Sequence, residues 1–152
     1  MKMPKLARKN IDQRLLKLQP IEQYTHPPRG WIQAIREALG MTTAQFAARL
    51  GVSQPRIMKL EDAERRKAVT LDTLERAARA LDCTLVYAII PNSSLEDMVR
   101  KQAEKVAKRR LESVSHTMRL EKQGVSKAVL QEQYNTILSD LLNGLDRKLW
   151  DE

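Results

Sequence analysis

Residues 42–64 read TTAQFAARLGVSQPRIMKLEDAE, and this stretch decides the fold. Ala47, Gly51 and Ile57 stand at a four-then-six spacing. A small residue at the first position lets two helices cross closely. A glycine at the second suits a tight turn with positive φ. A branched apolar residue at the third plugs the following helix into a core. Phe46, Leu50, Val52, Ile57 and Leu60 complete one buried face. Ser53, Gln54, Arg56 and Lys59 are left pointing outward, where they can read base edges or grip phosphates from a major groove. The pattern predicts a helix-turn-helix; the plainer alternative is a helical hairpin of an ordinary bundle.

Working outward, Trp31, Ile35 and Leu39 lie four apart and predict a helix over 31–39 ended by Gly40. The run EDAERRKAVT, 61–70, reads as a charged loop, after which Thr70 caps a helix over 71–81 with Leu74, Ala77, Ala78 and Leu81 buried. A DNA-binding domain therefore spans 31–82. The next residues, CTLVYAIIP at 83–91, are β-branched and aromatic and predict a strand. No second strand is evident, and unpaired backbone groups are costly when buried. Pairing with the same strand of a second copy across a two-fold axis solves this. It gives the homodimer that reading a palindromic operator requires. Pairing with the N-terminal arm is the alternative.

Residues 1–30 comprise a short helix over 5–18, with Leu6, Ile11, Leu15 and Leu18 roughly on one side, and a linker punctuated by Pro20, Pro27 and Pro28. Residues 94–150 predict a helical hairpin. Ser94 caps its first helix, which runs to about Gln123, Gly124 breaks the chain, and Ser126 caps a second helix to about Leu149. That second helix carries the stripe Leu130, Tyr134, Ile137, Leu138, Leu141, Leu145 and Leu149.

Composition bounds the function. The 152 residues carry 27 Lys and Arg against 19 Asp and Glu, a net charge of +8 that suits a polyanionic partner. Residues 1–91 hold 16 basic and 9 acidic side chains, so the excess travels with the half that contains the helix-turn-helix. A lone Cys83 excludes an internal disulfide. No apolar run approaches a membrane span, and MKMPKLARKN has no apolar signal core, so a soluble cytoplasmic protein with no membrane partner is expected. His26 and His116 are far apart, no metal-ligand spacing occurs, and no glycine-rich phosphate loop is present. The expectation is a protein without cofactor or metal, and not an enzyme.

One polar pair stands out. The first hairpin helix has the apolar stripe Val99, Ala103, Val106, Ala107, Val114 and Met118, and at about 100° per residue Thr117 and Glu121 fall within it. They are spaced i, i+4 and share one face, so the carboxylate can offer a bidentate partner to an arginine of another protein. The alternative is a solvated helix end near Gly124.

The segment LGVSQPRIMKLE resembles the Xre/lambda-repressor-like family over roughly 31–81. That likeness implies a phosphate contact for Gln45. TLDTLERAARALDCTLVYAIIP looks like the end of HipB-type antitoxins, in which a strand pairs between protomers. Read whole, with PPRGWIQAIREALGM, FAARLGVSQPRIMKLE, LDCTLVYAIIP and SHTMRLEKQ as landmarks, the chain is similar to the mobile mystery protein A family. This resemblance implies a Xre-type regulator whose partner is a Fic-domain toxin, an enzyme that transfers AMP from ATP to protein hydroxyls. Fic antitoxins carry an inhibitory helix with the pattern Ser/Thr-x-x-x-Glu-Gly/Asn, whose Glu pairs with an active-site arginine. Thr117 and Glu121 match it; Lys122 departs from the Gly/Asn.

The fold expected is thus mainly α: a lambda-repressor-like helix-turn-helix domain, one dimerising β-strand over 83–91, and a C-terminal helical hairpin. The function expected is that of a DNA-binding antitoxin and autorepressor that inhibits a Fic-domain toxin. Ser53, Gln54, Arg56, Lys59 and Gln45 would meet double-stranded DNA, and Thr117 and Glu121 the toxin. A plain repressor answering to a small ligand is the alternative.

Overall fold

The computed structural model describes residues 3–120, 126–144 and 147–151. Its α-helices are α1 (Met3–Leu15), α2 (Trp31–Ala38), α3 (Thr43–Leu50), α4 (Gln54–Arg65), α5 (Leu71–Ala80), α6 (Leu95–Leu120) and α7 (Lys127–Gly144). Short 3-10 turns cover Leu16–Leu18, Ile21–Tyr24 and Arg147–Trp150. The chain forms two compact units, one of residues 20–89 and one of residues 1–19 with 90–152.

The first unit holds α2–α5 around Ile32, Phe46, Ala47, Ile57, Leu60, Ala77 and Leu81, with Leu50, Val52 and Leu74 packed at the edge. Phe46 and Ile57 are completely buried. Side chains from four short helices thus supply one core, which none of the helices could build alone.

All four helices stop in the same way. An N–H two or three residues past each helix reaches back five positions, as Met41→Arg36, Val52→Ala47, Ala68→Ala63 and Cys83→Ala78. These are Schellman caps, and each needs a left-handed residue. Gly40 and Gly51 supply it at no steric cost, with φ of 66° and 71°. Lys67 and Asp82 supply it at φ of 58° and 56°, with Cβ strain. Gly51 ends α3 so sharply that Val52 already turns back into the core, which is what sets α4 across α3.

The second unit packs α6 against α7 around Val99, Ala103, Val106, Ala107, Leu141 and Leu149. The N-terminal helix is bound into it by electrostatics. The buried Asp12 carboxylate accepts from the first two backbone N–H groups of α6, Leu95 at 2.8 Å and Glu96 at 3.3 Å. Ser94 Oγ accepts from Asp97 N–H, so the helix start is capped from two directions. Arg8 Nε adds a 3.0 Å bond to Glu96.

Several expectations need correction. The strand over 83–91 does not form within the chain: no strand occurs among the described residues, and positions 83–91 run without a ladder. The chain offers no complementary strand, neither from the N-terminal arm nor elsewhere among those residues. The charged loop over 61–70 is half helix, because α4 continues to Arg65. Its Glu61 and Glu64 are buried. In α2 the inward side is Ile32, Ile35 and Arg36, while Trp31 and Leu39 are exposed. Leu6 and Ile11 of α1 are exposed as well. α7 ends at Gly144, and Leu149 reaches the core from a 3-10 turn.

Candidate nucleic-acid interface

The candidate interface is the outer side of α4 with the N-terminus of α3. Ser53 is the N-cap of α4, in extended backbone, but its hydroxyl makes no capping bond. Pro55 occupies the first turn, where a missing N–H costs nothing. Ser53, Gln54, Arg56 and Lys59 are all exposed. The face opposite them buries Ile57 and Leu60.

Gln54 is oriented before any ligand arrives. Its Nε2 donates to Thr43 Oγ1 at 2.8 Å, joining the first residue of α4 to the first residue of α3. A glutamine amide has two N–H donors and one acceptor oxygen. One donor goes to Thr43. The other donor and Oε1 remain for the N7 and N6 edge of an adenine. Sequence reasoning missed Thr43; the only available signal was a hydroxyl at the start of a helix, eleven positions before a glutamine.

Gln45 is placed differently from Gln54. Thr42 N–H donates to Gln45 Oε1 at 2.9 Å, and Gln45 N–H donates to Thr42 Oγ1 at 3.1 Å, a complete capping box. The side-chain carbonyl is committed to the cap, so a phosphate can be met by the amide N–H2 alone.

What holds α4 in place is a pair of buried carboxylates on its inner face, neither singled out by the sequence pattern. Arg36 Nε donates to Glu61 Oε1 at 2.5 Å and Nη2 to Oε2 at 3.1 Å, while Nη1 donates to the Met41 carbonyl at 2.9 Å. The hydrogen bond to Glu61 raises the Arg36 pKa above its ordinary value, despite the opposing effect of burial. The guanidinium therefore stays charged at every pH the protein meets. One turn on, Glu64 accepts from Trp31 N–H at 2.8 Å and Ile32 N–H at 3.0 Å, capping α2. Gly30 makes room for that carboxylate. At φ of 90°, a Cβ there would stand 2.8 Å from Glu64 Oε2.

On the exposed side, Asp62 is paired with both Arg65 and Arg66, the latter at 2.7 Å. The Arg65 hydrogen bond, then that of Arg66, holds its carboxyl below the usual carboxylate range. The acid thus presents little free negative charge to a phosphate. The charge excess sits elsewhere than expected. Residues 20–89 carry ten basic and eight acidic side chains, whereas residues 1–19 carry six and one.

Of the residues expected to face a toxin, Thr117 lies in the backbone of α6, with its side chain not described, and Glu121 falls outside the described residues, as does Lys122. Among described residues no group of His, Cys, Asp and Glu is placed to hold a metal ion, and no helix is long and apolar enough to cross a membrane.

Compared with known proteins, residues 32–87 match a helix-turn-helix family model. No curated protein and no solved structure matches the chain. The matched span begins inside α2 and ends just past α5, so it coincides with the core just described, and the chain carries a helix-turn-helix domain of Xre-like type.

Proposed function

We propose that this protein is a sequence-specific DNA-binding autorepressor that doubles as the antitoxin of a Fic-domain toxin. The observation that carries the DNA-binding part is the pre-set Gln54–Thr43 pair beside exposed Ser53, Arg56 and Lys59, on a helix pinned from behind by Glu61 and Glu64. Arg56 and Lys59 supply guanine readout or phosphate grip, and Gln45 a phosphate contact.

The dimer part is supported by the segment after α5. Val86 and Ile89 are 83% and 86% exposed, and Tyr87 is also exposed. A β-branched run with unused backbone donors and acceptors is a template for a second strand. The identical segment of a second copy pairs with it about a two-fold axis, and the two α4 helices then face successive half-sites. The antitoxin part rests on the resemblance described above and on the Thr117–Glu121 spacing.

The test of DNA binding is titration against DNA upstream of the protein's own gene at several salt concentrations. Affinity should fall with a log–log slope near −0.9 per phosphate neutralised, and exceed that for scrambled DNA. A flat salt response, or equal binding to both DNAs, refutes it.

A second reading, a repressor released by a small ligand, is favoured by one observation. A cavity of about 550 Å³ opens in the helix-turn-helix unit between Trp31, Ile35, Leu74, Val86 and Tyr87, within the size range of ligand sites.

A further inference from the structure

Met58 lies one turn beyond Gln54 on α4, and its place there is unlike that of the other large apolar residues of the helix. Ile57 and Leu60 are buried in the core, while Met58 is 61% exposed. It does not stand alone on the surface. It lines a shallow cleft with Thr43, Gln54, Asp62 and Arg65, and so shares a wall with the residue pre-set to read an adenine. An apolar side chain among polar neighbours on a DNA-facing helix has one apolar target in the major groove, the C5 methyl of thymine. Methionine suits that target, because its unbranched thioether adapts to a small methyl without a fixed pocket.

Resting on the DNA-binding reading above, we propose that Met58 is a specificity-determining residue that packs on a thymine methyl. Gln54 takes an adenine edge on a neighbouring base pair. Residues i and i+4 of a helix are separated by about 6 Å along its axis. Base pairs are about 3.4 Å apart, so the thymine is roughly one or two steps from that adenine. The domain therefore favours sites in which A·T pairs cluster under the N-terminal half of α4.

The test removes the methyl rather than the side chain. A duplex is selected from a random pool by the wild-type protein, and each thymine in it is replaced singly by deoxyuridine. One replacement per contacted half-site should weaken wild-type binding by about three- to fivefold, the worth of one buried methyl. That sensitivity should disappear in Met58→Ala and persist in Met58→Leu, which keeps an apolar side chain. Thermal melts of both variants should match wild type, since Met58 is mostly exposed. Sequence-specific binding in which every deoxyuridine effect is the same with and without Met58 overturns the inference alone. A wild-type protein that enriches no sequence from the pool overturns the DNA-binding reading, and this inference with it.

Discussion

At the residue scale, the helix-turn-helix depends on two carboxylates whose partners lie far away in sequence. Glu61 has no solvent to fall back on: it and Arg36 are both buried, and a third N–H of the guanidinium serves the Met41 carbonyl. Glu61→Ala leaves the buried cation with only the longer 3.8 Å contact to the half-exposed Glu37 and should cost about 3–5 kcal/mol, read as a lower urea midpoint. The double variant Arg36→Met, Glu61→Leu removes both charges and should recover most of that loss, because replacing a buried pair with apolar groups is often neutral. A single variant as stable as wild type would show that the pair is dispensable. The sign of the Arg36 shift sets the pH response. Its pKa is raised on folding, so its contribution is fully present below its ordinary value and is lost only in strong alkali. Acid unfolding should not begin at this guanidinium.

The same two residues mark where the sequence stops being legible. Phe46, Ala47, Gly51, Ile57 and Leu60 announce themselves by spacing alone, because each is fixed by a local need: close approach, a left-handed turn, a buried face. Glu61 and Glu64 sit in a run of charges that by pattern belongs to solvent. Only the folded chain brings Arg36 to one and the start of α2 to the other. The outward set Ser53, Gln54, Arg56 and Lys59 follows from the same local spacing, whereas Thr43's bond to Gln54 spans two helices and leaves no pattern.

At the scale of elements, two connections separate what is written locally from what is not. The Schellman caps at Gly40 and Gly51 can be read from glycines, but Lys67 and Asp82 perform the same turn with no such mark. Asp12 caps α6 from eighty-three positions away, which no window of sequence contains. The segment after α5 is the opposite case. Its β propensity is plain in Leu85, Val86, Tyr87 and Ile89, and yet it forms no strand, because a strand is a property of two segments and the described residues supply one. The dimer proposal turns on that missing half. Val86→Pro removes an N–H from any intermolecular ladder and should shift a wild-type dimer toward monomer in light scattering. Helical content should be unchanged, since Val86 points largely into solvent. A wild type that is monomeric at micromolar concentration excludes the two-fold ribbon.

At the scale of the whole molecule, the chain divides its proposed tasks between its two units. The segment over 20–89 holds the reading helix, and the Thr117–Glu121 pair belongs to the stretch after residue 90. A regulator built this way can lose one task and keep the other, and the last prediction uses that separation. If the Glu121 carboxylate pairs with an arginine of a Fic partner, its removal strands that arginine at a cost of about 2–5 kcal/mol. Glu121→Gly should therefore release the partner's activity when the two proteins are co-expressed, and cell growth should stop. DNA titrations of the same variant should match wild type in affinity and in salt slope, because α3 and α4 are untouched. Thr117→Ala removes only a hydroxyl and should release less activity. Lys122→Gly completes the inhibitory pattern and should protect at least as well as wild type. Growth of the Glu121→Gly strain equal to that of wild type would refute an inhibitory role for the Thr117–Glu121 stretch, and a co-purified complex that survives the substitution would make the hairpin a docking element instead.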